Sequence, residues 1–423
     1  MKTGPRLSAL LWVWVASGVL AQASPEPLLG ASLAGLLTQA RSTNPDYASM
    51  RFEAQAATER VLPAGALPDP KFRAELMDIT RMGEQSPTLL PANTGSTRYT
   101  LMQDVPWFGK RDLKRNMAQF EADGFQGKAE ASWAELAARI KIAQAQRYYL
   151  QGNRQLTQEI LDLMAQLEQV GRARYAGGLA LQQDVIRAQL EQTAMRTELV
   201  ALQSERTQVD ARLNALLARP AHEPLADPEG PRALPDQAKL DAGALAERVR
   251  RHSPQLLSED ARVKVAETGR DLSLRNRYPD FTFSITPTQT QREVKEWSLM
   301  VELNIPLQQS SRRAQEREAQ AMLSAAQART DALTHQLQAE LAQNLAGLEA
   351  AQRTSYLAGS SLLPQAEQTY RSALVSYENG KLDFATLLDA QRQVRQARQS
   401  QIKAQLEAHM RLAEIEKILG EEI

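Results

Sequence analysis

The spacing of hydrophobic and polar residues divides this chain into two similar halves. Each half is predicted to contain a helix, two strands, a very long helix, a turn and a return helix, because the apolar period changes from about 3.6 to 2 and back. In the first half the helices cover about Ser32 to Val61, Arg111 to Tyr175 and Ala180 to Leu217, and the strands about Lys71 to Ile79 and Ser96 to Val105. In the second half the helices cover about Ala242 to Asn276, Ser310 to Tyr377 and Leu382 to Leu419, and the strands about Asp280 to Thr286 and Trp297 to Ile305. The alternation in the strands predicts a sheet with one apolar face.

The corner that ends each long helix occurs twice. Tyr175 and Ala188 recur as Tyr377 and Ala390 at one spacing (377 − 175 = 202 and 390 − 188 = 202). Such a repeat predicts one domain built from two equivalent halves. The predicted division is a signal peptide at 1–23, a first repeat at 24–218, a Pro-rich strap at 219–241 and a second repeat at 242–423.

The long helices need partners of the same length. At about 1.5 Å per residue each would extend roughly 100 Å. The first has an apolar seam with steps of 4, 3, 4 and 3, made by Leu156, Ile160, Leu163, Leu167 and Val170. Because each return helix is too short to cover this length, we expect the opening helix of its half to stack on it. Pro364 lies inside the second long helix and predicts a kink, either a hinge or a tolerated bend.

The N-terminus has the features of a secretory signal. Lys2 and Arg6 precede an apolar run from Leu7 to Leu20, and Ala21-Gln22-Ala23 predicts cleavage after Ala23. A membrane anchor is the alternative, but the run is too short to span a bilayer. The chain has no Cys, so neither a disulfide nor an acylated N-terminal Cys is expected.

Composition argues against several functional classes. The 50 basic and 50 acidic residues balance, which gives no overall field for nucleic acid. The four His residues are scattered, and neither a nucleophile motif nor a phosphate-binding loop is present. We therefore expect no enzyme, no cofactor and no metal site. No later stretch reaches the ~20 apolar residues of a membrane helix, so a membrane span would have to be β.

Four strands cannot close a membrane barrel on their own, because open edges in lipid leave backbone groups unpaired. A dimer would supply about 8 strands, enough only for an interior filled by side chains. A trimer would supply about 12, enough for a lumen.

Three motifs carry a resemblance to a known family. They are the segment from Gln103 to Arg111, Gly178-Leu179 followed by Asp184-Val185, and Tyr377-x-x-Gly380 followed by Leu387-Leu388-Asp389-Ala390. Together they resemble the outer membrane factors of the TolC family, and Pro-Trp-Phe-Gly-Lys is most similar to the heavy-metal efflux branch. The resemblance implies a mainly α fold: a homotrimer with a 12-stranded β-barrel in the outer membrane, continued by a 12-helix coiled-coil tunnel in the periplasm.

The resemblance also implies a function. Such a channel passively conducts substrate to the exterior from a proton-driven, RND-type inner-membrane pump, through a periplasmic adaptor. Whether the cargo is a metal ion or a drug stays open. The alternative is a soluble periplasmic coiled-coil adaptor or structural protein, although an adaptor would have one hairpin and more β structure.

The resemblance assigns residues to the tips and the gate. The adaptor would meet Gly178, Leu179, Ala180, Gly380 and Lys381. Simple helix capping is the alternative for the glycines. At the gate, Tyr377 and Asp184 would form a hydrogen bond, and Asp389 would form a ring of carboxylates unless it belongs to a solvated helix face. Thr386 and Leu382 replace an acidic and a basic residue of the family.

Aromatic and aliphatic residues are predicted to line one face of the strands. This set contains Phe281, Phe283, Trp297, Leu299 and Val301. Trp107 and Phe108 follow the Pro that ends a strand, so Trp107 is expected at the junction of barrel and tunnel more than in an interfacial belt.

Overall fold

The computed structural model describes residues 29–423, so the predicted signal peptide lies outside the described residues. The helices are α1 Leu33–Thr43, α2 Pro45–Glu59, α3 Val61–Gly65, α4 Lys110–Ala176, α5 Gln182–Leu216, α6 Ala242–His252, α7 Pro254–Arg275, α8 Gln309–Leu357, α9 Leu363–Glu378 and α10 Phe384–Leu419. The strands are β1 Lys71–Met77, β2 Ser96–Val105, β3 Phe281–Thr290 and β4 Glu293–Leu303. The sheet thus precedes α4 and α8, and the turns that end α4 and α9 lie at the other end of the molecule. None of the helices in the described part of the chain is both long and apolar enough to cross a membrane.

The sheet is antiparallel with strand order β1-β2-β3-β4, so the β2–β3 pair joins the two halves. β3 runs past Pro287, where the sequence predicted its end. The pairing of β2 with β3 skips this point, passing from Ile285 to Thr288, so the missing N–H of Pro falls at a gap in the ladder.

Gln291 and Arg292 close the β3–β4 hairpin with φ angles of 54° and 80°. The sequence did not reveal this turn because neither residue is the Gly or Asn that such turns favour.

Each predicted opening helix is in fact two helices. α1 gives way to α2 at Asn44-Pro45, and α6 gives way to α7 at Ser253-Pro254. The two prolines correspond in the repeat (254 − 45 = 209). The prediction of single helices was wrong because Pro lacks the N–H that continues a helix but suits the first position of a new one.

The side chain of Asn44 joins α2 to the end of α5. Its Oδ1 accepts a hydrogen bond from the backbone N–H of Tyr47 at 2.9 Å, and its Nδ2 donates to the carbonyl of Leu216 at 2.9 Å. Thr43 Oγ1 donates to the carbonyl of Leu217, also at 2.9 Å. The last carbonyls of a helix have no partner within it. At the end of α5 these partners are the side chains of Thr43, the last residue of α1, and Asn44, which lies between α1 and α2. The stacking predicted from helix lengths is therefore present.

Two apolar clusters cover α4. The cluster near the turn contains Leu156, Ile160, Met164 and Leu167 of α4 with residues of α5, α9 and α10. The other, nearer the sheet, contains Leu136, Ile140, Ala143 and Leu150 with residues of α1, α2 and α5. The predicted seam was wrong at Val170, which is exposed. Leu163 is half-buried and Met164, the next residue, is buried. A straight helix drifts relative to a seven-residue repeat, which shifts the buried stripe around the helix.

Pro364 does not break the second long helix. One π-helical turn, Ala358–Leu362, separates α8 from α9 immediately before it. A wider turn of this kind allows the helix to continue although Pro364 lacks the N–H for one helical hydrogen bond. The structure thus has a π turn immediately before Pro364, where the sequence predicts a kink. That this turn acts as a hinge stays a prediction.

Replacing Asn44 with Ala should destabilise the protein by about 2 kcal/mol, because α2 loses its N-cap and the half-buried carbonyl of Leu216 in α5 loses its donor. Thermal unfolding of the detergent-solubilised protein measures the loss. Ser42→Ala, a change to an exposed residue of α1, is the control and should leave the transition unchanged. An Asn44→Ala transition equal to that of the control would contradict the role of this side chain.

Candidate functional site: the helical tips and the exposed sheet face

The two tips, defined as residues 174–181 and 376–383, have the same backbone geometry. Gly178 and Gly380 have φ angles of 72° and 70°. The N–H of Leu179 donates to the carbonyl of Arg174 at 2.8 Å, and the N–H of Lys381 donates to that of Ser376 at 2.9 Å. Such bonds close the last turn of a helix around a left-handed Gly. Capping therefore accounts for both glycines.

The residues after the two glycines lie at the end of the molecule farthest from the sheet. Leu179 is 73% exposed, Lys381 is exposed and Ala180 is half-buried. Leu179 belongs to none of the apolar clusters of the described residues. The first tip thus presents an apolar contact and the second a basic one, and their binding to an adaptor stays a prediction.

Tyr377 lies inside the apolar cluster near the turns, named the tip cluster from here on, with only 3% of its surface exposed. Its ring packs against Phe384 at a centroid distance of 5.5 Å. Among the described residues its hydroxyl has no hydrogen-bond partner. Burial raises the pKa of the Tyr377 phenol, the charge of Arg174 lowers it, and the charge of Asp184 raises it again. The predicted hydrogen bond between Tyr377 and Asp184 is therefore not formed in this protomer.

Arg174 holds Tyr377 in place of the predicted bond. Its guanidinium carbon lies over the Tyr377 ring, 4.9 Å from the centroid. Its Nη1 donates to the carbonyl of Tyr377 at 2.7 Å and to that of Glu378 at 3.1 Å. Arg174 was not among the predicted site residues. A difference between the repeats was the available signal, because Arg174 corresponds to Ser376 (376 − 174 = 202).

Asp389 and Thr386 lie on the exposed face of α10. The Asp389 side chain is 66% exposed and accepts from Arg392 Nη1 at 3.3 Å. Arg392 also pairs with Glu191 of α5. Thr386 belongs to the start of the helix, where its N–H donates to Asp383 Oδ1 at 3.0 Å. Hydrogen bonds from the side chain and backbone of Thr386 lower the pKa of Asp383. In one protomer, Asp389 is thus a partly paired residue on an exposed face.

The strand register places the predicted strand residues on one face of the sheet. One cross-strand row consists of Phe72, Leu101, Ile285 and Leu299. The next rows pair Phe283 with Val301, Phe281 with Leu303 and Pro287 with Trp297. Most of this face is exposed, up to 82% at Leu299, because no helix covers it. The other face is polar, with a row of Arg73, Thr100, Thr286 and Ser298.

An aromatic stack and an ion pair fix the junction between sheet and helices. The Trp107 ring stacks on Tyr278 at 5.0 Å and on Phe281 at 5.6 Å. Asp280 Oδ1 accepts from the backbone N–H of Trp107 at 2.8 Å and from Lys110 Nζ at 2.8 Å. Burial raises the pKa of the Asp280 carboxyl, but the bonds from Lys110 and Trp107 outweigh it and leave the pKa below its ordinary value. Trp107 therefore lies at the junction, as expected.

The second half of the chain matches a known family. Residues 245–421 fit the sequence model of the family described as outer membrane efflux protein. The match lies in the second half of the chain and runs from α6 to the end of α10.

A relative and two solved structures match a larger part of the chain. The cobalt-zinc-cadmium resistance protein CzcC of Cupriavidus metallidurans is 23% identical over 397 residues, which cover 92% of this chain and 90% of the relative. The outer membrane protein VceC of Vibrio cholerae superposes with a TM-score of 0.78 at 18% identity, over 92% of this chain and 96% of that one. The open state of the outer membrane channel MtrE of Neisseria gonorrhoeae gives a TM-score of 0.74 at 16% identity, over 92% and 89%. The fold is that of these outer membrane channels.

Asp280→Asn should destabilise the protein at neutral pH by about 2 kcal/mol, because it leaves the buried ammonium of Lys110 without its carboxylate. Thermal unfolding at a series of pH values measures the effect. Since the pKa of Asp280 is lowered in the folded state, the carboxylate contributes above its ordinary pKa and this contribution is lost as the pH falls through the lowered value. The difference from the unsubstituted protein should therefore shrink in strong acid.

Asp69 provides the matched control for this substitution. It is exposed and corresponds to Asp280 in the first repeat (280 − 69 = 211). Asp69→Asn should unfold like the unsubstituted protein. Equal losses from the two substitutions would show that Lys110 does not depend on Asp280.

Proposed function

We propose that this protein is the outer membrane channel of a tripartite efflux system. The observation that carries the proposal is the four-stranded sheet. Its apolar face is exposed, with Phe72, Leu101, Ile285 and Leu299 in one row across all four strands. Its edge strands β1 and β4 have no neighbour on their outer sides within the described chain. A lipid bilayer suits the apolar face, provided that both edges find partners.

Further copies of the chain would supply those partners. Three copies of a four-stranded sheet make 12 strands (3 × 4 = 12), a number at which a barrel holds a water-filled lumen, whereas about eight strands are filled by their own side chains. The polar row of Arg73, Thr100, Thr286 and Ser298 would face this lumen. We therefore propose a homotrimeric barrel whose strands come equally from three chains.

The helices would continue the lumen into the periplasm. α4, with 67 residues, is about 100 Å long, and its core partners lie on both return helices. With α5, α8 to α9 and α10, each chain would add four long rods to a tunnel. The proposed division into two repeats at 24–218 and 242–423, with a strap at 219–241, gives each repeat one hairpin of this tunnel.

The tips would bind the periplasmic adaptor of a proton-driven inner-membrane pump, with Leu179 and Lys381 as the exposed contacts. Gly178, Ala180 and Gly380 would shape the two turns. Tyr377 and Asp184 would lie at the gate, and Thr386 would begin the helix that carries Asp389. In a trimer Asp389 would occur three times, and three carboxylates around one axis attract cations. Arg392 would offset part of that charge.

The cargo that we propose is a heavy-metal ion. The support is the similarity to CzcC, a protein named for cobalt, zinc and cadmium resistance. Residues 29–423 contain no group of three or more His, Asp or Glu side chains arranged to hold a metal ion. The channel would thus conduct its cargo passively, without catalysis or a cofactor, and selection would lie in the pump.

Fractionation and conductance test the channel. Cells that express the full chain, including its signal, should contain the protein in the outer membrane fraction, and the purified protein should produce discrete conductance steps in planar lipid bilayers. The hydrophobic face and the open edges require a membrane and further copies, so both results are expected together. Recovery as a soluble periplasmic monomer would favour the rival interpretation, an adaptor or structural coiled-coil protein.

Leu179→Asp should abolish crosslinking of the protein to its adaptor, because a charge replaces the exposed apolar contact of the first tip. The neighbouring tip supplies Lys381, so an amine-reactive crosslinker reports the contact directly. Leu179→Met keeps an apolar side chain and should crosslink normally, and both variants should form the same oligomer on native gels. Normal crosslinking by Leu179→Asp would contradict the assignment of this tip.

A further inference from the structure

Among the described residues of the first tip, Arg174 alone donates side-chain hydrogen bonds to the second tip. It stands in the last turn of α4, yet both of its hydrogen bonds go to the last turn of α9, at the carbonyls of Tyr377 and Glu378. Its Nη2 is also close to the second tip, since a Cβ added at Gly380 would lie 3.4 Å from it. One side chain of the first hairpin thus reaches the backbone of the second.

The target of these bonds suits a guanidinium. The last carbonyls of a helix lack partners within the helix and carry the negative end of its dipole. The carbonyl of Tyr377 also accepts a hydrogen bond from the backbone N–H of Gly380 at 3.0 Å, so Arg174 is its second donor. A charged donor at this position forms hydrogen bonds that are stronger than those between neutral groups. The flat guanidinium also lies over the Tyr377 ring, 4.9 Å from its centroid, where the ring face attracts cations. Two hydrogen bonds and a cation–π contact therefore converge on one turn of α9.

Other side chains that face this turn do not replace the interaction. The Tyr377 hydroxyl has no hydrogen-bond partner among the described residues, and Asp184 acts on it only through its charge. Leu382 of the second tip is apolar and packs against the cluster that contains Tyr377. Within the protomer, the polar contact between the two tips thus depends on Arg174.

We propose that Arg174 is a positioning residue for the gate: its guanidinium holds the second tip against the first in the closed channel. This proposal rests on the proposed channel function. Any movement of α9 and α10 away from α4 and α5 must break the bonds to Tyr377 and Glu378. Loss of Arg174 should therefore favour separation of the tips, and in a conducting protein it should favour the open state.

Thiol labelling measures the separation directly, because the chain has no Cys of its own. Ala373, buried in the tip cluster on α9, is replaced by Cys as a unique probe in the full-length protein. Arg174→Met should raise the labelling rate of this thiol by about tenfold or more, since charge-assisted hydrogen bonds are among the stronger ones. Arg174→Lys keeps the charge but not the fork of donors, so it should give an intermediate rate.

Arg172→Met is the matched control, because Arg172 lies two residues away, is 63% exposed and pairs with Glu168 on its own helix. It removes the same charge and should leave the labelling rate unchanged. Far-UV circular dichroism and native gels confirm that each variant is folded and assembled. Equal rates for Arg174→Met and Arg172→Met would overturn the proposal.

Planar-bilayer conductance supplies a second readout that a purely structural contact would not change. Arg174→Met should raise the open probability above that of the unsubstituted protein and of Arg172→Met, with Arg174→Lys between them. Faster labelling without a rise in open probability would overturn the role at the gate. If the unsubstituted protein itself does not conduct, the channel proposal fails, while the labelling rates still decide whether Arg174 holds the tips together.

Discussion

A helix of 67 residues needs an equally long surface to pack against, and this requirement shapes the whole chain. No single return helix is long enough, so α5 and α2 are joined end to end by the side chain of Asn44, which caps one helix and satisfies the last turn of the other. The second repeat repeats the break at Ser253-Pro254. Because both halves solve the problem in the same way, the structure is elongated and has its turns at one end and its sheet at the other.

The same elongation leaves the sheet without a helical cover. Phe72, Leu101, Ile285 and Leu299 cross the sheet in register, exposed on one face, while hydroxyl and charged side chains occupy the other. At the junction, Asp280 holds Trp107 and Lys110 at the point where strand gives way to α4. A face of this kind is unfavourable in water, and the proposed membrane location and trimer follow from it together with the open edges.

Periodicity and repeat spacing were sufficient to predict the long helices, the turns, the two strands of each half and the helix stacking. They failed where a local interaction decides the outcome. Pro45 and Pro254 start new helices because the first position of a helix needs no N–H, and Asn44 also caps α2 with its side chain. Pro287 lies inside a strand because the β2–β3 ladder has a gap there. The predicted strand face agrees with the register because side chains alternate strictly along a strand.

The candidate gate was less predictable, because it depends on contacts between segments about 200 residues apart. The sequence identified Tyr377 and Asp184 by resemblance, but the protomer joins its tips through Arg174 and backbone carbonyls. A backbone acceptor leaves no trace in the sequence of the partner. Only the inequality of the two repeats, Arg174 against Ser376, marks the position.

The central claim is that the open edges of the four-stranded sheet close against further copies of the same chain around a lumen. Native mass spectrometry of the detergent-extracted particle counts those copies most directly. The account predicts three. A particle with one copy would leave both edges unpaired, and one with two would have a barrel filled by its own side chains, so either result would contradict the account.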